Sequence, residues 1–383
     1  MTIDTQAGTQ LVGLVGDFAK REIAPRVAEY DREEHIPRDL LDQMAELGFF
    51  GGVVPVELGG LGLDHMTFVA VVEEISKVCQ IMGTLVSMPS GLVGAAIARF
   101  GTPQQQERWL RPLAEGRIFG GSAVTEPDSG SDVAGMQTTY RKEGDEFVLT
   151  GTKAWISNLD IAEFFLTFAT VDRSLRHRGI AAFIVPRGTP GLGLHPYRDK
   201  LGFRPICTGE VVFDEVHLEP DCLIGEEGKG FDVAMTAVER GRLGVAARSV
   251  GLGQACLDEA VQYAKGRHAF GHPISEFQIV QSKITDMDVG VHTARLLVRD
   301  AAQALERGER ARRLTSMAKM YASDVAFRSA AEALQIHGAY GVSPEYPIGR
   351  LFRDAKVLQI VEGSNDLHRA LIGEMAIGIR SGA

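Results

Sequence analysis

Cysteine is scarce in this chain: four in 383 residues, at Cys79, Cys207, Cys222 and Cys256, with no CxxC pair. That scatter excludes a disulfide framework and a cysteine zinc site, and leads us to expect reduced thiols in a cytoplasmic protein. Histidine occurs ten times but never as HExxH. His268 and His272 are four apart, yet Gly271 and Pro273 break any helix that would align them, so no metal is expected. Basic charge is short as well: 40 Lys and Arg face 50 Asp and Glu, a net charge of −10. Nucleic acid and anionic membranes call for a basic surface, so neither is expected as a partner. No apolar run approaches the roughly 20 residues that span a bilayer, and Met1 to Gln10 carry no charged-then-apolar leader pattern. The expectation is a soluble cytoplasmic protein without membrane insertion.

What is present is an ordinary globular composition, 45% hydrophobic and 23% charged, which excludes wholesale disorder over a length that suits two or three domains. From Leu11 to about Gly116 the pattern is helical. Leu11, Leu14, Phe18, Ile23 and Val27 trace one apolar stripe, Leu40 to Leu47 a second helix stopped by Gly48, and Phe68, Val71, Val72 and Ile75 a third. Thr102-Pro103-Gln104-Gln105 reads as a capped helix start, with proline at the first position and glutamine three after the cap.

The period changes after Phe119. Phe147–Leu149, Phe164–Val171, Ile180–Val185 and Val211–Phe213 are short runs rich in β-branched and aromatic residues, separated by glycine and proline turns. Helices return from Phe231. Val280, Ile284, Met287, Val291, Ala294, Val298, Ala301 and Leu305 alternate steps of four and three, the seam of a long bundle helix. Met320, Phe327, Ala331 and Leu334 suggest another, and Leu367, Leu371 and Met375 a last one. The expected fold is α+β and multidomain: an N-terminal helical domain over 1–118, a β-barrel or sandwich over 119–228, and a C-terminal four-helix bundle over 229–383. The chain has no βαβ alternation, which excludes a Rossmann fold.

Three stretches could carry chemistry. Val124-Thr125-Glu126-Pro127-Asp128-Ser129-Gly130-Ser131-Asp132 is a loop of the kind that offers N–H groups to a phosphate or a polar ring edge, or simply a surface turn. Trp155 in Trp155-Ile156-Ser157-Asn158 could stack on a flat ligand or plug the β core. In Ile360-Val361-Glu362-Gly363-Ser364-Asn365 a carboxylate follows an apolar pair. Desolvation there would raise its pKa toward that of a general base, although Glu-Gly also reads as a helix end.

Taken in order, these stretches resemble the acyl-CoA dehydrogenase family, together with Gly151-Thr152-Lys153-Ala154-Trp155, Arg267-His268-Ala269-Phe270-Gly271 and Gln335-Ile336-His337-Gly338-Ala339-Tyr340-Gly341. The resemblance implies FAD as cofactor in a homotetramer built as a dimer of dimers. It implies that Val124, Thr125 and Ser131 bind flavin, Ser131 also lying along the substrate, and that Trp155 and Ser157 stack on and hydrogen-bond the ring. Arg267, Phe270 and Gln278 would reach a neighbouring subunit's FAD, with Gln335, Gly338, Ser364 and Asp366 as further cofactor contacts. Glu239, Arg242 and Gly363 would meet the substrate. Glu362 takes the place of the base that removes the pro-R α-proton of an acyl thioester while a β-hydride passes to flavin N5. The implied partners are acyl-CoA or a carrier-bound acyl thioester, and an electron-transfer flavoprotein as acceptor. A carrier-protein-linked biosynthetic dehydrogenase and a flavin oxidase or monooxygenase stand as alternatives.

The chain departs from the family pattern at several places. Val361 stands where many members carry Tyr, Ser364 replaces Thr, Asp366 replaces Gln or Glu, Glu239 replaces Asp, and Ser122 replaces an aromatic or similar residue. Gly83 stands where decarboxylating glutaryl-type members carry Arg, so oxidative decarboxylation of a dicarboxylyl thioester is not expected.

Overall fold

The computed structural model describes residues 5–379. The chain begins with helices α1 (Thr5–Phe18), α2 (Val27–Glu33), α3 (Arg38–Glu46), α4 (His65–Val78), α5 (Gln80–Ser87), α6 (Leu92–Phe100), α7 (Pro103–Gln105) and α8 (Arg111–Ala114). The first stripe is offset from the sequence reading: Val15 is fully buried and Leu14 is 65% exposed. A 3.6-residue period from Leu11 puts Val15 and Phe18, not Leu14, on the inner face. Helix α3 ends in a left-handed glycine, Gly48 at φ +74°, and Phe49 N–H donates to Met44 O at 3.0 Å. The capping box at Thr102 is complete: Gln105 N–H donates to Thr102 Oγ1 at 3.2 Å, and Thr102 N–H to Gln105 Oε1 at 2.8 Å.

One stretch corrects the expectation about apolar runs. Residues 80–100 are long and apolar enough to cross a bilayer by length and composition, but 78% of that window is buried inside the protein. It is also divided between α5 and α6. Its hydrophobicity is therefore that of core helices, mostly buried in the protein.

The strands are β1 (Phe119–Ala123), β2 (Thr139–Glu143), β3 (Glu146–Ser157), β4 (Ala162–Thr170), β5 (Ile180–Pro186), β6 (Leu192–Pro196), β7 (Thr208–Leu218) and β8 (Leu223–Ile224). They form one sheet in the order β6-β7-β3-β2-β4-β5-β8, with β1 parallel to β4. Strand β4 explains its own continuous apolar run. Phe164, Leu166 and Phe168 enter a core shared with Val93 and Ile97 of α6, while Phe165 and Ala169 enter a second core with Phe147, Ile156 and Phe213. Period-2 alternation thus feeds two apolar cores, so no polar face is needed. Trp155 lies within the long β3, where the pairing with β7 shifts register between Lys153 and Ile156.

The C-terminal region holds α9 (Gly230–Gly266), a two-stranded ribbon of β9 (His268–Ala269) and β10 (His272–Pro273), and α10 (Gln278–Glu306). It ends with α11 (Arg312–His337), α12 (Ile348–Leu358) and α13 (Asn365–Ile377). The α10 seam is as read, with Met287, Val291, Ala294, Val298, Ala301 and Leu305 buried. The face of α11 is not. Met320, Phe327, Ala331 and Leu334 are only half-buried, while Ala318, Ala322, Ser323, Ala326, Ala330 and Ala333 form the inner face. Small residues let α11 lie close against α9, so its larger side chains fall on the flanks. Among the described residues no group of His, Cys, Asp and Glu could hold a metal, and all four cysteines are free.

Candidate active site

Glu362 sits in the turn between α12 and α13, with φ +57°, followed by Gly363 at φ +90°. Two consecutive left-handed residues end the path of α12 and reverse the chain. For a glutamate that backbone costs on the order of 1–3 kcal/mol, so surrounding contacts must hold it. The turn aims the carboxylate at α9: a Cβ built on Gly241 would lie 2.8 Å from Oε2 and 2.9 Å from Cδ. Burial pushes the Glu362 pKa up to about 7, against the opposing fields of Arg248, Arg242 and Lys319. Of the preceding apolar pair only Val361 packs against the core, Ile360 being 58% exposed, and the carboxyl itself is seated on the glycine of α9. Among the described residues, the N–H groups of Glu362 and Gly363 donate to no protein acceptor.

The turn is held from below by buried polar groups that sequence reasoning missed. Lys319 of α11 donates to Gly363 O at 2.7 Å, to Asn365 Oδ1 at 2.9 Å and to Gln359 O at 3.3 Å. Asn365 in turn donates to Ser323 Oγ at 2.9 Å and Asp324 Oδ1 at 2.7 Å. His368 Nε2 lies 3.2 Å from Glu362 O and therefore donates, leaving Nδ1 unprotonated and buried without a partner. Burial, with the fields of Arg242 and Lys319, pushes the His368 pKa down to about 3, so the ring is neutral. Arg242, also buried, donates to Ser316 Oγ at 3.2 Å and keeps its Nε without a partner. A signal for Lys319 was present in the sequence: a lone lysine within the alanine and serine stripe of α11.

The loop of residues 124–132 is fixed to β3 by a buried ion pair. Lys153 Nζ lies 2.8 Å from Glu126 Oε1 and 3.2 Å from Val124 O, and both side chains are sequestered from solvent. Glu126 also accepts the N–H groups of Gln137 and Thr138, and Ala154 N–H donates to Thr125 O at 2.8 Å. Burial opposes ionisation of Glu126, but Lys153 and these donors outweigh it and leave its pKa low. Val124 and Thr125 are thereby brought beside Trp155. Trp155 has φ +60° and stands 63% exposed, its ring 4.9 Å from that of Tyr197. It plugs no core. An exposed indole held in a strained backbone is a platform for a flat ring, which is the fit the family's flavin requires. Ser157 is half-buried at the end of β3 and Ser131 is exposed.

A third group lies apart on the outer helices. Phe270, at φ +54°, is 94% exposed beside the β9–β10 ribbon, and Gln278 opens α10. The Arg267 guanidinium stands over the Tyr340 ring at 5.6 Å, so Arg267 adjoins the turn that follows Gln335 and Gly338. Of the last two cofactor candidates, Ser364 caps α13, its Oγ accepting Leu367 N–H at 3.3 Å. Asp366 points to solvent and pairs with Arg369 at 3.3 Å. Glu239 is half-buried on α9, and its side chain makes no hydrogen bond among the described residues.

Comparison with known proteins agrees with this arrangement. Residues 5–117, 121–216 and 228–377 match the N-terminal, middle and C-terminal domains of acyl-CoA dehydrogenase. The chain is 40% identical over 356 residues to the short-chain specific acyl-CoA dehydrogenase of Rattus norvegicus mitochondria, covering 93% of this chain and 86% of that one. It is 37% identical over 365 residues to the CarC subunit of the caffeyl-CoA reductase–Etf complex of Acetobacterium woodii, covering 95% and 96%. Its fold superposes on butyryl-CoA dehydrogenase from Megasphaera elsdenii with a TM-score of 0.94 at 37% identity, covering 98% and 99%. With three matching domains in order and relatives covered almost end to end, the chain belongs to the acyl-CoA dehydrogenase family.

Proposed function

We propose that this protein is an FAD-dependent acyl-CoA dehydrogenase that converts acyl-CoA to trans-2-enoyl-CoA, with Glu362 as the base. The observation that carries this reading is the Glu362 carboxyl seated on Gly241, raised to a pKa of about 7, next to two unpartnered N–H groups. A carboxylate of ordinary pKa is too weak a base for a carbon acid, and desolvation corrects that. Glu362 accepts the α-proton. Its own backbone N–H is free to donate to the thioester oxygen, where negative charge grows as the proton leaves. Lys319 and His368 act through the turn and hold both groups in place. When bound, the flavin supplies the two-electron oxidant for the β-hydride.

Val124, Thr125, Ser131, Trp155 and Ser157 would hold the flavin ring, and Arg242 and Glu239 the CoA moiety. Arg267, Phe270, Gln278, Gln335 and Gly338 would serve a neighbouring subunit's FAD in a homotetramer. Supporting that assembly, Phe270, Ile279, Val289, Leu296 and Val342 are large apolar side chains exposed in the C-terminal region. The Etf complex named for the Acetobacterium woodii relative supports an electron-transfer flavoprotein as acceptor. Four free thiols support a reducing, cytoplasmic setting. The carrier-protein and oxygen-using alternatives are not favoured by these relatives. The test is anaerobic addition of acyl-CoA thioesters to the yellow protein: bleaching of the flavin is expected, and no bleaching by any acyl thioester would refute the reading.

A further inference from the structure

Arg248 lies on α9 seven residues beyond Gly241, two helical turns or about 10 Å along the axis, and is only 4% exposed. Its Nη1 donates to the Thr84 hydroxyl of α5 and its Nε to Gly244 O at 3.4 Å. Among the described residues its Nη2 donates to no protein acceptor, and Arg248 enters no ion pair. A guanidinium taken out of water without a carboxylate partner costs several kcal/mol, which is why buried cations are nearly always paired.

The one acidic group whose field reaches Arg248 is Glu362. That single carboxylate already faces Arg242 and Lys319. Arg242 also feels Glu239 and Lys319 also feels Asp324, but Arg248 has Glu362 alone, so proton uptake by Glu362 leaves that guanidinium with no anion. The deficit is made good if the ligand brings an anion of its own.

The packing of α5 shows that the arginine is accommodated. A Cβ built on Gly83 would lie 3.0 Å from Arg248 Cγ, 3.4 Å from its Cδ and 2.1 Å from Ser76 Oγ. Glycine at position 83 therefore leaves the passage through which the Arg248 stem reaches Thr84. The sequence reading took Gly83 as the loss of a cation for a distal carboxylate. In the folded chain that same glycine admits a cation delivered by a different helix.

We propose that the acyl group taken by this enzyme ends in a carboxylate, received by the Arg248 guanidinium and the Thr84 hydroxyl while Glu362 addresses the α-carbon. The substrate class is the monothioester of a short dicarboxylic acid. Arginine suits this task because its fork matches the two carboxylate oxygens and its charge survives burial. The proposal rests on the acyl-thioester reading above and adds the far end of the acyl chain.

The test uses the flavin-loaded protein and compares anaerobic bleaching by succinyl-, glutaryl- and adipyl-CoA with that by butyryl- and hexanoyl-CoA. At least one dicarboxylyl thioester should half-saturate bleaching at a concentration about 100-fold below its monocarboxylyl counterpart, the size of one charge-assisted pair. In Arg248→Gln that ratio should fall about 100-fold. Should Arg248→Gln not fold, the wild-type panel decides alone. Bleaching by butyryl- or hexanoyl-CoA with no dicarboxylyl preference would overturn the carboxylate site and leave the dehydrogenase reading standing. Bleaching by neither class would overturn both.

Discussion

The ammonium of Lys319 lies 2.7 Å from the carbonyl oxygen of Gly363, so a buried cation on α11 fixes the turn that aims Glu362. Lys319→Met removes three hydrogen bonds at once: Gly363 O loses its donor, while Gln359 O keeps the Asn365 N–H and Asn365 Oδ1 keeps the Ser323 hydroxyl. A buried acceptor so orphaned costs about 1–3 kcal/mol. Stability to chemical denaturation should fall by about 1–3 kcal/mol, and kcat should fall more than KM changes, because Lys319 positions the base without touching substrate. A variant with wild-type stability and kcat would remove Lys319 from the account.

Gly241 is the seat of the base. In Gly241→Ala the new Cβ would lie 2.8 Å from Glu362 Oε2, closer than nonbonded atoms tolerate, so the carboxylate must move. The contact is with the end of a side chain, and the fold should survive with little change in melting temperature. Flavin reduction by substrate should slow by roughly 100-fold, the scale of a misplaced reacting group. An unchanged rate of reduction would show that the carboxylate does not work from this position.

Glu362 also sets a pH dependence with two signs. Its folded pKa, about 7, lies above the ordinary value of 4.5. Between those two pH values the folded chain holds a proton that the unfolded chain has released. Its contribution to stability is thus full below about pH 4.5 and is lost as pH rises through 7. Activity runs the opposite way, because only the ionised carboxylate accepts a proton. Stopped-flow reduction of the flavin at limiting substrate should rise with pH and level off above about 7, tracing the free enzyme's base. A rate flat from pH 5 to 9 would contradict that assignment.

The order of helical, strand and helical regions was legible because long amphipathic periods and alternating strands leave patterns in a single sequence. Thr102 and Gly48 were equally plain, since caps are local. What escaped was set by tertiary contact. Leu14 and Val15 differ only by which one the neighbouring helix covers. The inner face of α11 is made of alanine and serine, which no search for large apolar residues finds. Trp155, Phe270 and Glu362 all adopt positive φ, a strain that residue type does not announce. Arg248 and Lys319 read as ordinary helix charges until the fold buries them, and Gly83 reads as a missing arginine until Arg248 is seen to pass it.

The central claim is that the Glu362 carboxylate removes the α-proton, and Glu362→Gln tests it most directly. The amide keeps the shape of the side chain and its seat on Gly241 but cannot take up a proton near neutral pH. The variant should purify yellow, with its flavin bound, and be reduced by an acyl-CoA that bleaches the wild type at least about 1,000-fold more slowly, within the range for loss of a general base. Reduction at the wild-type rate would contradict the account.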